Sequence, residues 1–348
     1  MTDSYWRGKR VLLTGADGFM GSHVCEALVS RGAHVIAFTR GTSQHGTSQL
    51  ALRNIAHLSS QLEGVIAGNL TQAETTRLVR DAAPQVIMHL GAEAYVPKSF
   101  DQPGEVFEVN GNGTLYVLEA ARALPKLERC VVTSSSEVYG TAIGDRPIDE
   151  DHPLNPTSPY AASKVATDRL AYSYHVTFGL PISIIRPFNT FGPRHIYDVI
   201  PKFIKLALAG EDLTVHGTGE QGRDFSYVDD TVRGFLLMGS HPAAIGQAIN
   251  FGNGRSYSIQ HTAERIIALS GSTSRIVHTE HRLAEVNLLL CDHGKATRLL
   301  GWKPEIDFDE GLRRNIEWAR ARLPGAAAAA SLAGPSAGTT APAATKPS

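Results

Sequence analysis

Tyr160 and Lys164 stand four residues apart in Ser158-Pro-Tyr-Ala-Ala-Ser-Lys164, heading a run (Val165–Tyr174) that reads as helix. On a helix that spacing puts a phenol and an ammonium on one face, one turn apart. An ammonium beside a tyrosine stabilises the phenolate, so a group with a reference pKa near ~10 can serve as a base near neutrality. A shift of ~3 units asks for roughly 4 kcal/mol, which a closed site with a cationic cofactor ring nearby can supply and an exposed pair cannot. Alone, the spacing is common and reads as a core tyrosine with a solvated lysine. About twenty residues earlier, Ser134-Ser135-Ser136-Glu137-Val-Tyr-Gly140 adds hydroxyls and a carboxylate. Along an extended segment alternate side chains share a face, which places Glu137 on the side of Ser135.

The elements that must hold these groups are those of an α/β chain. Arg10–Thr14 is an apolar strand running into Gly15-Ala-Asp-Gly18-Phe19-Met20-Gly21. A helix follows, stopped at Gly32, and His34–Phe38 is a second strand. Strand, glycine loop, helix and strand within about 30 residues is the context of a dinucleotide-binding turn. Gly15 permits the turn, Gly18 lets backbone N–H groups approach a pyrophosphate, Gly21 packs helix on sheet, and the helix N-terminus faces the anion. Phe19 and Met20 belong to the same turn. At the end of the second strand stands Thr39-Arg40 with no acid for a ribose. An arginine there can pair with a 2′-phosphate, a lean towards NADP over NAD.

Residues 42–60 read as polar, then helical. Gly64–Leu70 is a third strand with Asn69 near its tip, beside Leu70. Gln85–Leu90 is a fourth, ending in Leu90-Gly91-Ala92, where small residues let the chain pass a ribose and nicotinamide. Asp101–Leu124 reads as one helix, Arg129–Thr133 as a fifth strand and Pro181–Ile185 as a sixth. The serine run thus sits at the carboxyl end of a strand, where ligands of open α/β sheets bind. Val199–Ala209 reads as helix, His216–Val228 as an irregular, anion-friendly loop, Gln247–Phe251 as a strand, and Ser258–Leu269 and Phe308–Leu323 as helices. Residues 324–348 are Ala, Gly, Ser, Pro and Thr with one charge, a composition expected to stay disordered.

Composition narrows the function classes. The 348 residues are 42% hydrophobic and 19% charged with a net charge of -1, ordinary for a globular chain able to bury a large core. No basic excess marks a nucleic-acid or anionic-membrane partner, and no apolar run approaches the ~20 residues of a membrane helix. Cys25, Cys130 and Cys291 lie far apart without metal-ligand spacing, so they read as buried thiols of a cytoplasmic protein that needs no metal.

Four features agree in order and context: the Gly15/Gly18/Gly21 loop, the strand-end Ser135, the Tyr160/Lys164 pair, and the loops carrying Asn189 and Arg223. Together they resemble the extended short-chain dehydrogenases/reductases, the nucleotide-sugar epimerase/dehydratase family, from about Lys9 to Leu323. The resemblance implies a Rossmann-type doubly wound parallel sheet in residues 1–186, completed by about 226–255. It also implies a smaller nucleotide-sugar-binding domain from residues 187–225 and 256–323. It further implies a tightly held NAD(P)+ regenerated each cycle, bordered by the glycine loop, Phe19, Met20, Thr39, Arg40, Asn69, Leu70, Leu90 and Ala92. Asn69 stands where the family usually has Asp against adenine.

By the same resemblance Ser135 orients the sugar 4-hydroxyl, Tyr160 removes its proton, and Lys164 holds the nicotinamide ribose. Tyr95, Val96, Asn189, Val199, Arg223 and Arg282 fall where the nucleotide sugar is gripped. For Arg223 and Arg282 the lesser alternative is a surface ion pair with the adjacent Asp224 and Glu285. Glu137 resembles the acid/base of 4,6-dehydratases, with Ser136 in place of a frequent Asp, and a 4-epimerase or a decarboxylase are the alternatives. A dinucleotide sensor without catalysis is disfavoured by the complete Ser135, Tyr160 and Lys164 set. Family members commonly pair as homodimers through two helices per subunit, here 101–124 and 160–178.

Overall fold

The computed structural model describes residues 2–40, 52–280 and 286–323. The tail 324–348, and Arg282 with Glu285, lie outside the described residues. Seven parallel strands form the main sheet: β1 (Arg10–Thr14), β2 (His34–Thr39), β3 (Gly64–Ala67), β4 (Val86–His89), β5 (Arg129–Thr133), β6 (Ile182–Pro187) and β10 (Ala248–Phe251), ordered β10-β6-β5-β4-β1-β2-β3. Leu12 registers with Ile36 on one side and Ile87 on the other. The period of two sends Val11, Leu13, Val86, Met88 and Val131 into one core, and Leu12, Ile87, Cys130 and Val132 into a second across the sheet. Both faces are therefore covered by helices, as short apolar strands without polar alternation require. This is the doubly wound Rossmann-type fold. Its strand order reverses between β1 and β4, which opens a crevice at their carboxyl ends.

The remaining strands make two small sheets. β9 (Gly222–Tyr227) pairs with β7 (Asn189–Phe191), β11 (Ser256–Ser258) and β13 (Leu288–Leu289), and β8 (Leu213–His216) pairs with β12 (Ile276–Thr279). No helix among the described residues is long and apolar enough to cross a membrane, and all three cysteines are free and buried.

Four sequence expectations need correction. The helix expected over 101–124 is broken: a turn at Lys98–Asp101, then Pro103–Phe107, a π-helical turn at Glu108–Asn112, and Gly113–Arg122. Pro103 has no N–H to continue the preceding turn, and Gln102 leaves the helical region at φ −133°, ψ 56°. The π turn admits one extra residue, so the side chain of Asn110 points inward and bridges Glu93 to Ser163. Within 52–60, the described part of the stretch expected to turn helical, only the 3-10 turn Ala56–Leu58 forms. The irregular loop expected at 216–228 contains β9. Helices form at Glu74–Asp81 and Val228–Ser240, where none was anticipated.

Candidate active site

Gly15 leaves β1 at φ +70°, a conformation a side chain would strain, and a Cβ there would meet the backbone of Gly91 at 2.8 Å. The ends of β1 and β4 thus touch main chain to main chain. A Cβ on Gly21 would lie 2.0 Å from the Gly15 carbonyl oxygen, so helix Phe19–Ser30 can approach the turn only as glycine. That helix starts at Gly18 without a side-chain cap, leaving its first N–H groups for an anion. Asp17 is not free to contribute: its carboxylate accepts the backbone N–H groups of Arg53, Asn54 and Ile55.

Around the crevice, Thr39 is buried with its hydroxyl unpartnered, and Arg40 is exposed beyond it. Leu70 packs where a Gly91 side chain would go, with Leu90 and Ala92 beside it in sequence. Asn69 uses its Oδ1 to accept the Thr71 N–H, which leaves that oxygen one lone pair. Beneath the crevice runs a polar chain the sequence reading missed: the Thr14 hydroxyl meets His89 Nδ1 at 2.8 Å, and His89 Nε2 meets Thr114 at 3.1 Å. Burial, with the Lys164 charge, pushes His89 down to about 3. The buried hydroxyls of Thr39, Thr133 and Ser134 have no partner. Buried polar groups are ordinarily satisfied. Three orphans at the carboxyl ends of β2 and β5, with a turn that approaches closely at Gly15 and Gly21, fit a bound dinucleotide.

Helix Pro159–Phe178 carries the reactive pair. Ser158 caps it by accepting the Ala161 N–H, Pro159 fills the first turn, and Gly179 stops it at φ +67°. Tyr160 and Lys164 are both buried, at 8% and 3% exposure. Lys164 donates to the carbonyl oxygen of Thr133 at 2.5 Å. Burial lowers its pKa to about 8, against the neighbouring charge of Asp168, which raises it. Burial raises the Tyr160 phenol above its ordinary value; a hydrogen bond with Ser135 opposes this, and the charges of Glu137 and Asp198 add to it. The Lys164 ammonium is engaged by the strand-end carbonyl, one turn away.

Ser135 lies two residues past the end of β5, and its hydroxyl accepts the Glu137 N–H at 3.1 Å. Ser136–Tyr139 is a 3-10 turn, so Glu137 does not share a strand face with Ser135 as alternation suggested. The turn still delivers its carboxylate to a large cavity, whereas Ser136 is buried off the cavity wall. Burial pushes the Glu137 carboxyl up, Arg223 pulls it down, and Asp198 pushes it up again.

That cavity measures about 500 Å³. Tyr95, Val96, Asn189, Val199 and Arg223, all expected at the nucleotide sugar, line it with Glu137. Asn189 Oδ1 is buried without a partner, and Arg223 projects from β9 beside the buried Asp224. Residues less legible in the sequence complete the wall. Tyr95 stacks on Tyr197 at 4.9 Å, and His195 lies flat on Phe19 at 4.4 Å and 5°. Arg194 next door makes a two-pronged pair with Glu26 of the glycine-loop helix, at 2.8 and 2.7 Å. The loop between β7 and helix Val199–Ala209 is therefore fastened to the dinucleotide turn.

Residues 12–315 match the family model described as GDP-mannose 4,6 dehydratase. The chain is 34% identical over 316 residues to a UDP-glucose 4-epimerase of Mycolicibacterium smegmatis, covering 89% of this chain and 98% of the relative. It is 32% identical over 329 residues to a UDP-N-acetyl-alpha-D-glucosaminuronate decarboxylase of Bacillus cytotoxicus, covering 90% and 98%. Among solved structures, dTDP-glucose 4,6-dehydratase from Streptomyces venezuelae, with NAD and TYD bound, superposes with a TM-score of 0.81 at 30% identity. That superposition covers 90% of this chain and 97% of the other.

Proposed function

The chain belongs to the GDP-mannose 4,6-dehydratase family, and from that premise we propose that it is a nucleotide-diphosphate-sugar 4,6-dehydratase. The observation that carries this reading is the carboxyl of Glu137, pushed up by burial and set on the cavity wall, with its N–H bonded to the Ser135 hydroxyl and its charge felt by Tyr160. Oxidation at C4 needs a base for the 4-hydroxyl, the role of Tyr160, with Ser135 orienting that hydroxyl. Rotation of a keto-sugar would need no further acid or base. Loss of water across C5 and C6 does, and a carboxyl with a raised pKa suits it. Arg223, Asn189 and the start of helix Val199–Ala209 are suited to the diphosphate and nucleotide.

The cradle and the orphaned hydroxyls support NAD(P)+ as the resident cofactor. Held there by the glycine turn, Tyr160 and Lys164, it would supply the hydride acceptor for C4 and the hydride donor for C6. NAD is the form bound in the Streptomyces structure, while exposed Arg40 suits the 2′-phosphate of NADP. Phe107 on helix Pro103–Phe107 and Tyr172, Val176 and Phe178 on helix Pro159–Phe178 are exposed apolar residues, which supports a homodimer through these helices.

The test is incubation with UDP-, GDP-, CDP- and dTDP-sugars, read by mass. A dehydratase gives a product lighter by one water. A product of unchanged mass and altered stereochemistry would favour the epimerase reading that the Mycolicibacterium relative suggests. Loss of carbon dioxide from a uronate would favour the decarboxylase.

A further inference from the structure

The buried polar chain beneath the crevice runs through β1, β4, the π-helical turn and helix Gly113–Arg122, and its two ends fix its direction. At one end the Gly91 N–H donates to the Thr14 hydroxyl at 2.9 Å. At the other the Thr114 hydroxyl donates to the Asn110 carbonyl at 2.6 Å, much closer than its 3.4 Å contact with Thr167. A hydroxyl has one proton to give. Thr114 can therefore only accept from His89 Nε2, 3.1 Å away, so Nε2 carries the hydrogen. Nδ1 of the neutral ring is then bare and accepts from the Thr14 hydroxyl at 2.8 Å. The network selects one tautomer. We propose that His89, as this Nε2–H tautomer, is a positioning residue for hydride transfer: it ties the dinucleotide turn to the helix that carries Tyr160 and Lys164. The proposal rests on the oxidation step of the proposed reaction and not on the loss of water.

The tie runs out from both sides of the ring. Thr14 precedes Gly15, and Gly91 is the backbone that a Cβ on Gly15 would strike, so the Nδ1 side grips the touching ends of β1 and β4. On the Nε2 side Asn110 is the junction. Its carbonyl also accepts the Thr167 hydroxyl at 2.8 Å, and its side-chain amide donates to the Ser163 hydroxyl at 2.9 Å. Ser163 in turn donates to the carbonyl oxygen of Tyr160 at 2.7 Å, and it directly precedes Lys164. Helix Pro159–Phe178 is thus set against the dinucleotide turn by hydrogen bonds that pass through one imidazole. His89 is 3% exposed, with Thr14 and Thr114 as deeply buried, so water is not at hand to replace a lost partner. Burial also keeps the ring neutral next to the charge of Lys164. An imidazolium would repel that ammonium and could no longer accept from Thr14.

Three variants divide the two bonds of the ring. His89→Asn puts an acceptor near the place of Nδ1 and gives up Thr114, His89→Gln reaches towards Thr114 and gives up Thr14, and His89→Leu loses both while filling the space. Full-length holoenzyme of each is mixed with the UDP-, GDP-, CDP- or dTDP-sugar that wild type oxidises. Reduced-nicotinamide absorbance in the first turnover is followed per bound dinucleotide, and dinucleotide affinity and denaturant midpoint are measured separately. His89→Leu should hold the dinucleotide within about threefold of wild-type affinity yet reduce it at least about thirtyfold more slowly, because a misplacement of ~1 Å can cost about a hundredfold in rate. His89→Asn and His89→Gln should fall between. Nitrogen-15 NMR of wild-type holoenzyme labelled at histidine, with the His89 signals identified by their loss in His89→Asn or His89→Gln, should show the Nε2–H pattern at neutral pH. An Nδ1–H ring or an imidazolium would overturn the assignment. So would a first-turnover rate within about threefold of wild type in His89→Leu, even with a lowered midpoint, which would mark a histidine that serves the core alone. Loss of the dinucleotide with an unchanged rate on what stays bound would overturn it too. A wild type that oxidises a sugar but never loses water would sink the dehydratase reading and leave His89 in place; one that oxidises none would sink both.

Discussion

Burial acts on Tyr160 and Lys164 in opposite chemical senses: it keeps the phenol protonated and works against the ammonium's charge. The lysine has a measurable consequence for stability. Its folded pKa of about 8 lies below the ordinary 10.5, so between those values the unfolded chain binds more protons than the folded one. Stability from this group therefore rises with pH across that window, and the full burial cost is felt below it. In nucleotide-free protein, wild type should gain about 3 kcal/mol relative to Lys164→Met between pH 8 and 10.5. Urea unfolding of both proteins at the two ends measures it, and a pH-independent difference would contradict the shift. Tyr160→Phe should retain the dinucleotide yet show no reduced-nicotinamide absorbance with any sugar; normal turnover would remove Tyr160 from the reaction. At this scale the sequence was informative, because spacing and strand ends bring Ser135, Glu137, Tyr160 and Lys164 together. It could not reveal that Lys164 is engaged by Thr133, since a backbone carbonyl carries no sequence signal.

Elements were legible where apolar runs have one period. β1, β2, β4, β5 and β6 lie close to their expected positions because each is a short run of apolar residues. β9 was hidden because one of its inward residues is an acid. Asp224 is fully buried and accepts the backbone N–H groups of Asn253, Gly254 and Cys291, so a carboxylate takes a core position and the strand reads as a polar loop. Asparagine there would keep one acceptor and turn its amide donor towards a backbone N–H. Asp224→Asn should cost about 1–3 kcal/mol for the group left unsatisfied, read as a lower denaturant midpoint. An unchanged midpoint would show that the loop finds other partners. The helix expected over 101–124 failed for a related reason: Asn110 is a buried polar residue whose partners, Glu93 and Ser163, are distant in sequence.

For the whole molecule, the main sheet is completed late in the chain, since β10 joins it beside β6 only after sixty residues that form β7, β8, β9 and two helices. The exposed apolar flank has the same character: Tyr172 and Val176 are four apart on one helix, but only the fold shows their face uncovered. Val176→Glu should convert the inferred dimer to monomer by light scattering, with the circular dichroism spectrum unchanged; an intact dimer would place the interface elsewhere. The fastening of Arg194 and His195 onto Glu26 and Phe19 also bears on modularity. A fragment ending after β6 would lose the edge strand β10, bare the ring of Phe19 to water and leave Glu26 without its arginine. The half built from β1 to β6 is therefore not portable: excised or grafted without the chain that follows it, it would expose these groups.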